Sequence, residues 1–155
     1  MKSHLSISIS LSIIMIAMMG LSACKSTKTG MGSNDSLPFS VAKNYFFNND
    51  QSIPSNPKID SQALFDKYFG AAAFMGKDGE PTRIDFKKQF VIAVVMPVTS
   101  YETELSPVRL SSDNDEMTFR YKVVKGKKQS YETQPLMLIV VDKRYEKGKV
   151  TIQEE

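Results

Sequence analysis

The side chains best suited to chemistry are scarce in this chain. It holds one cysteine, Cys24, and one histidine, His4, so neither an internal disulfide nor a multi-histidine metal centre can be built from it. Carboxylates are the main remaining acid–base groups. Asp85 and Asp142 flank the two longest apolar runs of the domain. Two acids held about 5–9.5 Å apart in a cleft would suit glycoside hydrolysis. The ordinary work of an acid at a strand end is turn formation or surface pairing. Ser40-Val41-Ala42-Lys43 has the Ser-x-x-Lys spacing of an activated serine, but no helix signal surrounds Ser40. Gly70 to Asp78 approximates a phosphate loop and fails it. The gap between Gly70 and Gly76 is one residue too long, and Asp78 stands where a magnesium-holding hydroxyl belongs. Asp113-Asn114-Asp115-Glu116 gathers acids, yet Thr118 replaces the glycine at the sixth position of a calcium loop. These failures favour a binding protein over an enzyme, with no cofactor and no metal expected.

The lone cysteine has a different use. Lys2 supplies a positive start, Leu5 to Gly20 carry no charge of Asp, Glu, Lys or Arg, and Leu21-Ser22-Ala23-Cys24 follow. That order resembles a bacterial lipoprotein signal, in which small residues precede the cleaved bond and the thiol receives a diacylglyceryl group. The resemblance implies a signal peptide over residues 1–23, loss of His4, and lipidation of Cys24. More than one acyl chain makes such an anchor stable, at about 0.8 kcal/mol for each buried methylene. The mature chain would then have neither imidazole nor free thiol. Residues 24–40 read as a flexible tether rich in Ser, Thr and Gly. Lys25 after the cysteine, by resemblance to lipoprotein sorting rules, implies the outer membrane, facing the periplasm. Asp35-Ser36-Leu37 resembles an O-glycosylation site, against the plainer reading of a polar linker.

The charges exclude one class of partner. Lys and Arg number 20, Asp and Glu 17, and the formal net charge of +3 is too small for a protein held to nucleic acid by phosphate charge.

Residues 41–155 read as one α+β domain, an antiparallel β-sheet or open β-sandwich with one short helix packed on it. Lys43 to Asn48 form an aromatic run read as a first strand. The helix is signalled by Asp60 as N-cap, by Ile59 and Leu64 at the spacing of a hydrophobic staple, and by Leu64, Phe65, Tyr68 and Phe69 on one side. Gly70 is placed to end it in the left-handed conformation. Phe90 to Met96 and Leu136 to Val141 are continuously apolar, like central strands covered on both faces. Between them Met117, Phe119, Tyr121 and Val123 alternate with polar residues, as in a strand with one buried face. Polar segments at 111–115, 125–128 and 144–148 read as punctuation between antiparallel hairpins.

Recognition falls to exposed residues. Phe65, Phe69, Phe90 and Phe119 suit the core, whereas Tyr101, Tyr131 and Tyr145 sit in polar surroundings, where Tyr offers contact area and a hydrogen-bonding tip. Pro97 to Pro107 is a proline-bounded connection holding Thr99, Tyr101 and Glu102, or a Thr-rich edge strand running through it. Lys125, Lys127 and Lys128 suit a solvated hairpin tip. The expected partner-binding residues are Thr99, Tyr101, Glu102, Lys127, Lys128 and Tyr131.

From Asp60 onward the order of elements resembles the small domain of protease-complex-stabilising, PrcB-like lipoproteins. The features are the short aromatic helix, Arg83-Ile84-Asp85-Phe86 leading into Phe90 to Met96, the hairpins, and Pro135 before the last apolar strand. The resemblance spans about residues 58–152 and departs from the family after the first long strand, where Pro97 to Tyr101 replace a glycine-containing segment. It implies a non-enzymatic role: binding and stabilising a partner protease. The expected function is thus an envelope lipoprotein that binds a partner protein, a peptidase among the candidates. The alternatives are a carrier of a small ligand, glycan or lipid, and a carboxylate-dependent hydrolase.

Overall fold

The computed structural model describes residues 36–76 and 78–155; Cys24, the signal-like segment and Lys77 lie outside the described residues. In chain order the elements are β1 (Ser40–Ala42), β2 (Tyr45–Phe47), β3 (Lys58–Ile59), helix α1 (Gln62–Tyr68), β4 (Phe69–Ala71), β5 (Gln89–Val95), β6 (Thr99–Asp113), β7 (Glu116–Thr133), β8 (Leu136–Asp142), a 3-10 turn (Lys143–Tyr145) and β9 (Lys149–Glu154). The fold is α+β, in three layers.

The two apolar runs form the middle layer. β5 and β8 pair antiparallel from Gln89 opposite Asp142 to Val95 opposite Leu136. With β1 and β3 they make a sheet of order β1-β8-β5-β3. Both faces are covered, which is why neither run alternates with polar residues. Phe90, Ile92, Val94, Met137, Ile139 and Val141 face a sheet of order β6-β7-β9. Val91, Ala93, Leu138 and Val140 face α1 and the small β2–β4 pair through Phe65, Phe69 and Phe47. Side chains of successive strand residues point to opposite faces, so each strand feeds two cores.

Several expectations are corrected. The helix starts at Gln62 with Ser61 as N-cap and no side-chain cap bond, so Asp60 does not cap it. Gly70 does not end it in a left-handed turn. The helix runs straight into β4, with Phe69 extended at φ −132°. Gly70 instead lies opposite Phe46 on β2, whose half-exposed ring covers it, so a Cβ there would push that ring aside. The first strand is β1, not the aromatic run at Tyr45 to Phe47. Leu37 and Phe39, which composition assigns to the tether, belong to the fold. Phe39 is buried against Phe119, and the Leu37 N–H donates to the Leu110 carbonyl. The Ser36 hydroxyl is shielded from solvent and Ser36 bridges to Ser111, an environment unlike that of a modified linker serine.

The polar punctuation is sparser than composition suggests. β6 and β7 form one long hairpin that turns only at Asn114 and Asp115, where Asn114 takes φ 51°. The 125–128 segment is no tip and lies inside β7. The last pairing is also not a hairpin. β9 returns to the β6–β7 layer and lies parallel to β7, from Glu116 opposite Lys149 to Tyr121 opposite Glu154. Lys58 on β3 reaches Glu146 at 2.9 Å and ties the middle sheet to the segment entering β9.

Candidate functional site

β6 and β7 continue the β5–β8 pair. After Val95 and Leu136 the Met96 N–H still donates to the Pro135 carbonyl at 3.0 Å, and pairing resumes at Thr99 opposite Thr133. Pro97 and Pro135 flank the break, as expected for residues that limit ladder pairing. The ribbon then folds back, because Leu110, Met117 and Phe119 share one core with Phe90, Ile92 and Val94 of the preceding β5 and Met137, Ile139 and Val141 of the following β8. Fifteen residues in β6 would span about 50 Å if straight, at about 3.3 Å each, so it far outruns the seven-residue β5. The excess forms an exposed shoulder where the ribbon reverses.

Bulges shape that shoulder. Thr99 faces Thr133 and Tyr101 faces Lys128, so residues 129–132 oppose Ser100 alone. A further irregularity separates Tyr101–Lys128 from Thr103–Lys125. Extra residues on one strand bend it and increase its twist. Local hydrogen bonds hold the other strand: the Tyr101 N–H donates to Thr99 Oγ1 at 3.1 Å, and the Thr103 hydroxyl donates to the Tyr101 carbonyl at 2.9 Å. Gly126 leaves room for Glu102, whose Oε2 would stand 2.7 Å from a Cβ at that position.

All six residues expected to bind a partner lie on this shoulder. Thr99, Tyr101 and Glu102 open β6, while Lys127, Lys128 and Tyr131 lie on β7 near its bulges. Of the two readings of Pro97 to Pro107, the edge strand is the one that forms: β6 is the outer strand of its sheet. Tyr101 is 47% and Tyr131 59% exposed. Tyr145 is not part of this surface. It ends the 3-10 turn and packs against the core, with the Arg144 guanidinium 4.8 Å from its ring centre. Sequence reasoning missed Val98 and Val124, 56% and 58% exposed. The pair Val123-Val124 interrupts the strict alternation from Met117, and that interruption was the available signal.

The acids raised as catalytic candidates do local work. The Asp85 carboxylate accepts the Lys87 N–H at 3.0 Å and lies 3.9 Å from Lys88 Nζ. The Asp142 carboxylate accepts the Arg144 N–H at 2.9 Å and starts the 3-10 turn. An open depression of about 480 Å³ is lined by Asp60, Gln62, Asp85, Lys87 and Lys143, without Asp142. At the other proposed acid cluster, Glu116 pairs with Lys149 at 3.6 Å and the Asp115 carbonyl accepts the Lys149 N–H. Among the described residues no group of three or more His, Cys, Asp or Glu side chains could hold a metal ion. No helix among them is long and apolar enough to cross a membrane.

A second concavity of about 320 Å³ lies between β5 and β9, lined mainly by Ile53, Pro54, Ala93, Val95, Val150 and Ile152. Its walls are mainly apolar, with Ser55, Lys149 and Thr151 also in the lining.

No family model, no curated protein and no solved structure matches this chain.

Proposed function

We propose that the protein is a non-enzymatic lipoprotein of the cell envelope, anchored through Cys24 to the outer membrane and facing the periplasm, whose domain binds a partner protein. The resemblance to protease-complex-stabilising lipoproteins makes an envelope peptidase the first partner to test. The observation that carries the reading is the shoulder: Thr99, Tyr101, Glu102, Lys127, Lys128 and Tyr131 gather on one bulged, exposed stretch of ribbon that the core does not need. Exposed tyrosines on a rigid scaffold are suited to recognition, since they bring large contact area at little entropy cost. The test is affinity capture from solubilised envelopes after crosslinking. The full chain is compared with a Tyr101→Ala/Tyr131→Ala variant. A partner retained by the first and lost by the second is expected; equal capture by both would reject the surface.

The groove between β5 and β9 supports a second reading, a carrier of a small apolar ligand such as an acyl chain. Its volume of about 320 Å³ falls within the range of small-ligand pockets. Ile53→Trp, at a half-exposed position of its wall, would narrow it and abolish binding of a fluorescent fatty acid if that reading holds.

A further inference from the structure

We propose that the outer edge of β7 beyond Tyr121 accepts an extended acidic segment of a partner protein as an added strand. The proposal rests on the partner-binding reading above and specifies its chemistry.

β9 covers β7 only from Glu116 to Tyr121, and the Glu155 N–H closes this coverage by donating to the Tyr121 carbonyl at 2.9 Å. Backbone groups of successive strand residues point to alternate edges. The Tyr121 carbonyl points toward β9, so Val123 and Lys125 present their N–H and C=O groups on that same edge, where no described strand follows. The opposing residues Leu105 and Thr103 on β6 turn their own backbone groups the other way. An edge with open donors and acceptors is a template for a further strand.

The side chains state what kind of strand. From Lys122 to Lys128 the sequence carries Lys122, Lys125, Lys127 and Lys128 and no acid. All four are exposed. None has an ion pair or side-chain hydrogen bond among the described residues. The nearby acids Glu102 and Glu104 belong to β6, and only the Glu102 side chain is seen to reach over β7, at Gly126, so the four lysines outnumber the acids beside them. A second copy pairing through the same edge would set lysine against lysine, and like charges directly opposite destabilise a pair of strands. A strand bearing Glu or Asp at alternate positions meets ammonium groups instead, and exposed Val124 offers its apolar side chains a contact.

The probe is a fluorescent, N-acetylated heptapeptide of alternating valine and glutamate, with a lysine-for-glutamate peptide and phosphatidylglycerol vesicles as comparisons. The full chain in detergent is titrated by anisotropy, and amide exchange is followed by NMR. The acidic peptide is expected to bind at least about tenfold more tightly than the basic one, weaken with salt, and slow exchange at Val123 and Lys125 but not at Val124. Lys125→Pro removes an outward N–H and should cost about tenfold. If Lys125→Pro does not fold, Lys127→Glu/Lys128→Glu, confined to exposed side chains, should lose about tenfold for the acidic peptide. Equal binding of both peptides, unchanged exchange at Val123 and Lys125, or binding to vesicles alone would overturn the proposal. Capture that depends on Tyr101 and Tyr131 but ignores Lys125→Pro rejects the added strand and leaves the partner-binding reading standing. Peptide bound at this edge, with no captured partner, does the reverse.

Discussion

The inner half of the β6–β7 ribbon lies on the middle sheet, with Leu110, Met117 and Phe119 fully withdrawn from solvent. The outer half is made by the same two strands, yet Tyr101, Val124 and Tyr131 stand exposed and lysines line the edge of β7. Pairing between strands is therefore common to both halves, and burial is not. The contrast separates what stabilises the fold from what is free to recognise something else. A strand needs a covered apolar face to contribute to stability, whereas a ladder held out in water contributes little.

The largest effect should come from breaking the inner half. Phe119→Ala removes a fully buried ring that packs edge-on against Phe39 and stacks on Tyr121, and should cost about 3–5 kcal/mol in urea unfolding. A loss below about 1 kcal/mol would mean that the inner half is no more a core than the outer one.

An intermediate effect is expected at the tie between layers. Lys58 and Glu146 meet at 2.9 Å with both side chains mostly shielded, so Glu146→Gln should cost about 1 kcal/mol and lower the melting midpoint by several degrees. High salt should shrink the difference.

Alkaline pH sharpens the comparison between the two cores. Tyr45 donates its hydroxyl to the Thr82 carbonyl at 2.6 Å; burial first, and the Asp66 charge second, raise its pKa above the ordinary phenol value. Tyr121 on the inner ribbon is raised too, by burial first and the Glu154 charge second. The folded state thus holds both protons more tightly than the unfolded state. Their contribution is fully present below about pH 10, the unfolded value, and is lost as pH rises through the raised folded values. Unfolding midpoints should fall above that pH, and Tyr45→Phe should flatten part of the fall. An unchanged profile in the variant would remove Tyr45 from the account.

The smallest stability effect should belong to the shoulder. Tyr131→Ala and Lys128→Ala should each change unfolding free energy by no more than about 0.5 kcal/mol, while backbone amides there exchange faster than those at Met117 to Tyr121. Larger losses would show that the shoulder is structural and weaken its claim as a recognition surface.

Legibility followed the strength of the local signal. The apolar runs around Ile92 and Ile139 could be placed at the centre because continuous burial demands continuous hydrophobicity, and both faces are indeed covered. Asp60 misled as a helix cap because a capping side chain is one of several ways to satisfy the first turn. Gly70 misled because its setting is made by Phe46 on another strand, whose ring lies over it, and not by the end of the helix. The lysines at 125–128 looked like a turn because polarity and glycine mark turns and exposed strand edges alike.

The sequence by itself determined the class of fold, the two central strands, the inward set Met117, Phe119 and Tyr121, and the scarcity of catalytic side chains. These follow from side-chain type and period, which act over a few residues. Only the tertiary structure decided that the ribbon folds back on its own parent strands, that β9 runs parallel to β7, and that residues as distant as Thr99 and Tyr131 share one shoulder. Those outcomes depend on which apolar faces cover one another across the molecule. Local pattern states that a face must be buried and is silent on what buries it.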